Sequence, residues 1–530
     1  MAELEEGVGK MVWHIFKKDW KLLWSFVAAV ALLHGIAALI MFKLGLFNED
    51  PTLEMLSYEV PNLAVFGSMF LIVAIVHLEA IPGVRQDWLT RPIPRRSLLL
   101  EKLLFVVITV EGPIFALSLA QGLAFGFSWR SSLLAAAAYV ALLFFFLILP
   151  IFSFASVTRN MTEAFILGCG CTLIMGAFLL LSSSMNQSAH GTLIAVTHSG
   201  IGWIGEVCRF ALVTVAAGVI LGSQYFRRKT VWARFFVVVF GSLLLVSTFL
   251  PWRPVFAIEE RLSSKPGASA GVEMTFNSLQ ERYKSPSGLP ASAENRQRRE
   301  DDAEVFLPLQ VAGVRNDAIL LVDHVEVQLI GQDGRVLYHG AGEPFEFARE
   351  GPKPPEVPIY QQMAIPMSLY SNAKDQTVQV RVDYSLTLFG LGRSYAMPSL
   401  DGDERMPGWG WCKTKMNEAG TAVELHCIEP GKGPMCASAF LENASSGAQN
   451  PPRSSCESEY RPFGDKPTPD NFARFGGNLP FRDASGLAKF PVDGSQLPQS
   501  RVVIRNYEPE EHFTRSLVIP QIKLRDWGAQ

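Results

Sequence analysis

The sequence predicts a multi-domain protein in which an α-helical transmembrane bundle of about seven spans precedes an exported, mainly-β, sandwich-like domain. Two observations predict this fold class: long apolar runs are concentrated before about residue 251, and beyond about residue 305 the hydrophobic pattern alternates with a period of two. We therefore divide the chain into a cytoplasmic amphipathic helix (1–21), a transmembrane domain (22–251), a connector (252–304) and an extracytoplasmic β-rich domain (305–530).

The transmembrane domain is predicted from stretches that are long and apolar enough to cross a bilayer, which takes about 20 residues as a helix. The predicted spans are 22–42, 62–81, 103–127, 132–157, 162–183, 203–224 and 232–251. These boundaries are drawn from composition alone, and apolar residues continue beyond several of the predicted ends.

Residues 8–21 are predicted to form an amphipathic helix on the cytoplasmic membrane surface. Apolar side chains fall close to helical spacing at Met11, Val12, Ile15, Phe16 and Trp20, and lysines follow at Lys17, Lys18 and Lys21. The alternative is that this stretch simply extends the first span.

Loop charge predicts the orientation, because loops rich in Lys and Arg stay on the cytoplasmic side. The loop 82–102 is the most basic one and carries Arg85, Arg91, Arg95, Arg96 and Lys102. The N-terminal stretch and the loop near residue 228 are also basic, whereas the intervening loops 43–61 and 184–202 are acidic or neutral. The N-terminus is thus predicted inside and the chain after residue 251 outside or in the periplasm, in a cell (inner) membrane.

Four cysteines in the polar half favour disulfides, because an exported domain folds in an oxidising compartment. A turn at 417–420 would bring Cys412 near Cys427, leaving Cys436 to pair with Cys456 across a loop rich in Ser, Gly and Pro. A Cys427–Cys436 bridge is the competing arrangement, since 429–434 would also turn the chain. No CxxC pair is present, so we predict no zinc site.

Glu111 is the most informative polar residue within a predicted span. It precedes Gly112 and Pro113, and Pro113 removes a backbone donor and can kink the helix. Ionisable groups inside membranes are functional candidates. Glu111 is therefore either a cation- or proton-binding residue, or a structural residue that satisfies groups exposed at the kink.

The polar half shows strand patterns. A hairpin is predicted from 324–338 with a turn at 332–334, and further strands from 272–276, 377–388, 423–426, 501–504 and 516–519. Many short strands with Gly- and Pro-rich connections favour an antiparallel sandwich. Asp323, His324 and Glu326 are close in sequence but are expected on alternating faces, and the segment 510–512 is expected to be a charged turn.

The sequence contains no HExxH, GxSxG, Walker A or catalytic-cysteine pattern, so we predict neither an enzyme nor a cofactor. The net charge of −3 argues against nucleic acid as a partner.

Two stretches resemble permease subunits of the ABC-2 class of ABC exporters. One is the helix 14–24 that leads into the first span, and the other is the segment 87–102 after the second span. In that family a surface helix and the first intracellular loop commonly contact a separate ATP-binding subunit. A Pro-x-x-Arg element, an apolar stretch and a Lys that opens the third span are typical, and here Pro92, Arg95 and Lys102 match them, with Arg96 an alternative to Arg95.

The resemblance covers roughly residues 8–225 and excludes the β-rich domain, and the seventh span departs from the six that the family usually has. It implies a permease subunit in the lipid bilayer, with a cytoplasmic ABC ATP-binding subunit and a second permease copy or homologue as partners. The residues expected to couple it to the ATPase are Trp20, Arg91, Pro92, Arg95, Arg96 and Lys102. The alternative function is a non-transporting, membrane-anchored β-domain for envelope sensing, adhesion or assembly.

Overall fold

The computed structural model describes most of the chain in fifteen stretches. They are residues 2–44, 51–78, 95–188, 202–227, 229–247, 252–283, 302–342, 346–349, 359–406, 410–417, 420–430, 435–443, 453–457, 481–491 and 499–528.

The first half is helical. Its helices are α1 (Ala2–Leu44), α2 (Pro51–His77), α3 (Arg95–Val106), α4 (Gly112–Ala124), α5 (Trp129–Leu143), α6 (Leu149–Val157), α7 (Met161–Ser188), α8 (Gly202–Leu221) and α9 (Thr230–Val246). Three π-helical turns occur in these helices, at Val107–Glu111 between α3 and α4, at Phe144–Ile148 between α5 and α6, and at Gly222–Phe226 after α8.

Five helical stretches are long and apolar enough to cross a membrane. They are Met11–Lys43, Met55–His77, Ser97–Ala124, Trp129–Val157 and Val207–Phe226. Met161–Cys171 and Thr230–Val246 are apolar but shorter. By length and composition, therefore, the described residues contain five candidate spans rather than the seven expected.

The N-terminal stretch is continuous with the first span, because α1 runs from Ala2 to Leu44 without a break. The boundary expected at residue 21 is therefore not an interruption of the helix, and the alternative, an extension of the first span, describes the backbone better. Neither Pro nor a turn sequence stands near residue 21 to end the helix.

The bundle packs around a core contributed by α1, α2, α3, α4, α5, α6 and α8. Fully buried members of this core include Leu71, Ile75, Phe105 and Phe152. Side chains that point away from it are apolar too, for example Phe165, Val231 and Trp232, which are all more than half exposed. An apolar surface around an apolar core is the pattern of a helix bundle surrounded by lipid.

The described residues of the second half begin with α10 (Trp252–Arg261) and are otherwise mostly strands, together with a short helix α11 (Met367–Ala373). We call the part of the chain from Trp252 onward the β-domain. Its strands are β1 (Glu273–Phe276), β2 (Asp302–Ala312), β3 (Ala318–Ile330), β4 (Val336–Gly342), β5 (Glu346–Arg349), β6 (Ile359–Pro366), β7 (Thr377–Pro398), β8 (Asp403–Met406), β9 (Gly410–Met416), β10 (Ala422–Pro430), β11 (Met435–Asn443), β12 (Arg453–Glu457), β13 (Phe481–Pro491) and β14 (Ser500–Lys523).

The strands form two antiparallel sheets. The larger has ten strands in the order β1-β2-β6-β4-β3-β7-β14-β11-β12, with β5 added beside β3. It folds over a core to which β1, β2 and β6 contribute from one side and β3, β7 and β14 from the other. The smaller sheet, in the order β13-β10-β9-β8, packs its apolar face on the β11 and β14 end of the larger one.

The predicted alternation is confirmed from Thr377 to Tyr384, where Val378, Val380, Val382 and Tyr384 are buried and the residues between them are more exposed. From Tyr384 to Leu388 every residue is buried, because the other face of the strand is covered as well. The expectation of many short strands is wrong for this central pair, because β7 has 22 residues and β14 has 24. The predicted strands 501–504 and 516–519 are two parts of the single strand β14. Its pairing with β7 continues between them and shifts register at bulges near Asn506 and Pro509.

The described residues 252–283 of the predicted connector pack on the strands of the β-domain. The predicted strand is present as β1, and the loop 262–272 lies along β14. Ser264 and Lys265 bond to Glu510, and the Glu511 carboxylate accepts hydrogen bonds from the backbone N–H groups of Gly267 and Ser269. The Gly- and Ser-rich composition therefore reflects a loop held against a strand by backbone hydrogen bonds.

The two ends of the bundle are distinct. Lys102 of α3 contacts Asp19 of α1, and Gln121 of α4 contacts Ala38 of α1, so α1 and the α3–α4 pair run in the same direction. The β-domain contacts residues 124–127, just beyond the far end of α4. It therefore lies at the opposite end of the bundle from the Asp19–Lys102 contact.

Candidate functional site

Of the predicted coupling residues, Trp20 and Lys102 lie at the end of the bundle remote from the β-domain. Arg91, Pro92 and the side chains of Arg95 and Arg96 lie outside the described residues. Trp20 is on α1 and is 43% exposed, whereas Lys102, on the first turns of α3, is only 1% exposed. Trp20 therefore faces outward, whereas Lys102 is internal.

Lys102 joins α1 to α3. Its Nζ lies 2.6 Å from Oδ2 of Asp19 and 3.8 Å from Oε2 of Glu101, and the side chains of both acids are completely buried. A buried ion pair recovers the free energy of desolvation only through close geometry, and losing one partner leaves an uncompensated charge. This cluster therefore fixes the position of α1 against α3.

Aromatic packing extends the same contact. The ring of Phe16 packs on Phe105 of α3 at a centroid distance of 5.3 Å, and Trp13 and Trp20 stack on its flanks at 5.4 and 6.4 Å. Lys17 lies over the Trp13 ring. The outer side of α1 thus presents Trp and Lys side chains, while its inner side is held by an ion pair and a Phe–Phe contact.

Sequence reasoning missed Asp19. An acidic residue between Lys18 and Trp20 in a basic helix gave a weak signal, because it also fits a solvent-exposed position. Its partner 83 positions later is brought close only by helix packing. Lys102 is therefore positioned to act through the α1–α3 contact, since its charge is directed inward.

Glu111 lies in the π-helical turn that joins α3 to α4 and is 6% exposed. The backbone N–H of Gly112 donates to the carbonyl of Val107, which closes the wide turn, and Pro113 follows. Within the described part of the chain, Oε1 of Glu111 has no hydrogen-bond partner. The structural alternative, in which Glu111 satisfies groups exposed at the kink, therefore finds no support at this oxygen.

The hairpin of β8 and β9 is one place where the β-domain touches the bundle. The backbone N–H of Trp411 in β9 donates to the carbonyl of Phe125 (3.0 Å), and its indole Nε1 donates to the carbonyl of Ala124 (3.2 Å). Gly410 has φ of +75°, and a Cβ at this position would approach the Phe127 ring to 2.7 Å. Arg405 of β8 lies over the Trp411 ring. We call this the hairpin contact.

A disulfide joins β9, the strand that carries Trp411, to β10. Cys412 and Cys427 are directly opposite each other in β9 and β10 and are joined by an S–S bond of 2.11 Å, as predicted. Cys436 in β11 is the register partner of Cys456 in β12, but the Cys456 side chain lies outside the described residues, so that bridge stays a prediction. A cystine next to Trp411 makes the strand pair that contacts the bundle more rigid.

The helix α10, whose Trp252 packs on Ile204 of α8, is attached to the outer face of β3, β7 and β14. Trp252 donates its indole N–H to Ser385 (3.1 Å), and Arg253 pairs with Glu326. Burial by itself would raise the pKa of Glu326, but the hydrogen bonds from Arg253 and His339 lower it below its usual value. The rim of this attachment is therefore ionic.

Beneath α10 lies a row of buried polar side chains. The hydroxyl of Thr387 donates to Asp323 (2.5 Å) and lies 2.8 Å from Nδ1 of His512, whose Nε2 is 3.7 Å from the carboxylate of Glu259. Burial lowers the pKa of His512 to about 4. These side chains lie between α10 and the strands that it packs on, so a change in their charge would alter the contacts of α10 with the sheet.

Two sequence expectations are wrong here. A β-bulge between Val322 and His324 turns Asp323 onto the face that His324 and Glu326 share, so the three do converge under α10. The segment 510–512, expected to be a charged turn, is part of β14, where Glu510 pairs with Lys265 and Arg315.

Among the described residues, no group of three or more His, Cys, Asp or Glu side chains is arranged to hold a metal ion. No protein-family model matches the chain, and no curated protein matches it significantly.

Proposed function

We propose that this protein is the membrane permease subunit of an ATP-driven, ABC-type exporter and works with a separate cytoplasmic ATP-binding subunit and a second permease copy or homologue. The observation that carries the proposal is the buried Lys102–Asp19 ion pair. It joins the N-terminal helix to the start of α3, immediately after the basic loop. These are the two elements that the family resemblance assigns to the ATPase contact.

Coupling by a separate motor requires that a force applied at the surface reaches the bundle. Asp19 and Lys102, reinforced by Phe16 and Phe105, make α1 and α3 move as one unit. Trp20 and the lysines of α1 remain exposed on the outer side of that unit. An ATPase that binds there and at the 79–94 loop would thereby displace the helix that carries Glu111.

The way the helices connect the two ends of the bundle supports seven crossings, although the apolar stretches in α7 and α9 are shorter than the other five. α6 ends beside the end of α2, where His77 bonds to Thr158 (3.0 Å), whereas Ile204 at the start of α8 packs with Trp252 of α10. α7 connects these opposite ends. Similarly, α9 starts after the π-helical turn that packs on α3 and leads to α10 on the β-domain.

Seven crossings separate the two ends of the chain, and the basic loops favour the N-terminal end as cytoplasmic. The disulfide at Cys412–Cys427 supports an oxidising location for the β-domain, outside the cell membrane or in the periplasm.

The proposal is tested by affinity purification of the tagged protein from its native membrane. We expect an ABC ATPase to co-purify with the wild type and to be lost from Arg95→Glu/Arg96→Glu, because charge reversal in the loop opposes docking. The matched control is Arg227→Glu/Lys229→Glu, which reverses two exposed charges in another basic loop outside the resembling motif. Equal retention of the ATPase by both variants would contradict the loop as the contact.

The non-transporting anchor is distinguished by the same experiment. The hairpin contact and the packing of Trp252 on Ile204 attach the β-domain to the bundle, which suits a display function as well as a transport function. Purification without any ATPase, but with an envelope protein bound through the β-domain, would favour the anchor.

A further inference from the structure

The buried side of α4 carries a row of polar side chains in the membrane interior. Glu111, Ser118 and Gln121 are each at most 6% exposed. They are spaced by seven and three residues, so they lie along one side of the helix. Oε1 of Glu111, Oγ of Ser118 and Oε1 of Gln121 have no hydrogen-bond partner within the described residues.

The row starts at the centre of a span and leads toward the β-domain. Glu111 is equidistant, within a residue, from the two ends of the span Ser97–Ala124. Gln121 lies ten residues further on, about 15 Å along the helix axis. Its amide donates to the carbonyl of Ala38 in α1 (2.6 Å), and the hairpin contact at Phe125 follows directly.

The surroundings of Glu111 supply no counter-charge along the helices that pack most closely on its turn. The contacts of Lys102 with Asp19 and of Gln121 with Ala38 share an offset of 83 residues, which places Glu111 beside Ala28 of α1. The nearest titratable residues of α1 in sequence are Lys21 and His34, and His34 bonds to Ser68 of α2 (2.9 Å). In α3 the nearest are Glu101 and Lys102, which belong to the Asp19 cluster, and α4 has none.

An ionised carboxylate without a partner in a bilayer costs several kcal/mol, and a bound proton removes that cost. Partnerless oxygens on Ser118 and Gln121 are groups that can pass a proton between hydrogen-bonding molecules. We infer that Glu111 is a reversible proton-binding site, reached from the β-domain side of the membrane along Ser118 and Gln121. Water on that side supplies the proton, which converts the carboxylate to the neutral acid, and the reverse step returns it.

Protonation of Glu111 would be coupled to the position of α1 and α4, because Gln121 of α4 is bonded to α1 and Glu111 lies in the π-helical turn that joins α3 to α4. A proton on Glu111 removes a charge from this helix contact, and its loss restores the charge. This inference does not require the ATPase assignment.

The first experiment uses dicyclohexylcarbodiimide, an apolar reagent that modifies protonated carboxyls in membrane interiors, on the full-length protein in nanodiscs. Peptide mapping should find Glu111 modified, with labelling that declines as the pH is raised and is lost in Glu111→Gln. Glu163, which is ion-paired with Arg234, is the internal reference for an ionised carboxylate and should stay unlabelled. An unlabelled Glu111 at every pH would overturn the inference. So would labelling that sodium ions suppress at constant pH, since a metal cation would then be the ligand.

The second experiment tests the path by infrared spectroscopy in deuterated water. The carbonyl band of protonated Glu111 should be absent from Glu111→Gln, and its exchange should slow severalfold in Ser118→Ala/Gln121→Leu. Ser153→Ala is the matched control, because Ser153 is also a buried, partnerless hydroxyl but lies on α6. Equal exchange rates in the wild type and the double variant would exclude the path, and a band that persists in Glu111→Gln would exclude the site.

Discussion

Replacing Lys102 should destabilise the bundle more than any other single change at the end remote from the β-domain. In Lys102→Met, the carboxylates of Asp19 and Glu101 remain buried without the ammonium group that lies 2.6 and 3.8 Å from them. Breaking a buried ion pair from one side typically costs about 3–5 kcal/mol. Asp19→Asn should cost less, because Lys102 keeps Glu101 within 3.8 Å.

The assay is reversible unfolding in mixed detergent micelles, followed by tryptophan fluorescence, for the wild type, both single variants and the double variant. We expect the double variant to lose less than the sum of the single losses, since one change already removes the interaction. The control is Arg525→Gln, which breaks a 2.7 Å pair with Asp375 in which both side chains are more than half exposed. That change should cost less than about 1 kcal/mol.

Additivity of the two single changes within about 0.5 kcal/mol would show that the pair is not coupled. A loss in Lys102→Met no larger than that in Arg525→Gln would refute the view that burial makes this ion pair a structural joint between α1 and α3.

Three further predictions concern topology, the disulfide and pH. Cysteine labelling should find positions 90 and 228 accessible from the cytoplasm and position 400 from outside, and a cytoplasmic position 400 would contradict the orientation drawn from loop charge. Replacing Cys412 and Cys427 with Ala should lower the stability of the β-domain by about 3 kcal/mol for a loop of 15 residues, and a Cys427–Cys436 bridge in non-reducing peptide maps would disprove the pairing. Because burial lowers the pKa of His512 from 6.5 to about 4, the unfolded chain binds a proton first as the pH falls. Stability should therefore be full above pH 6.5 and fall by up to about 3 kcal/mol toward pH 4. Unfolding of His512→Gln should lack this component, and an identical pH dependence in the variant would argue against it.

The strand pattern was predictable where burial repeats with a fixed period. Along β7 every second residue from Val378 to Tyr384 is buried, and the turn at 332–334 joins β3 to β4 as expected. Bulges could not be read in this way, because one inserted residue changes the face of every residue beyond it. For that reason Asp323 joined His324 and Glu326 on one face, and the segment 510–512 lay in a strand rather than a turn.

The sequence by itself determined that an apolar helical half precedes an antiparallel β-domain, and it favoured Cys412 opposite Cys427 while leaving the Cys427–Cys436 bridge open. Hydrophobic period and a short turn act between neighbours in the chain, so the sequence displays them. Tertiary structure decided the rest: the burial of Lys102 against Asp19, the contact of Trp411 with Phe125 and the row under α10 that links Glu259, His512, Thr387 and Asp323. Each of these joins residues more than sixty positions apart. Such contacts depend on how the helices and sheets pack, and the residues next to each one in the sequence do not indicate its distant partner.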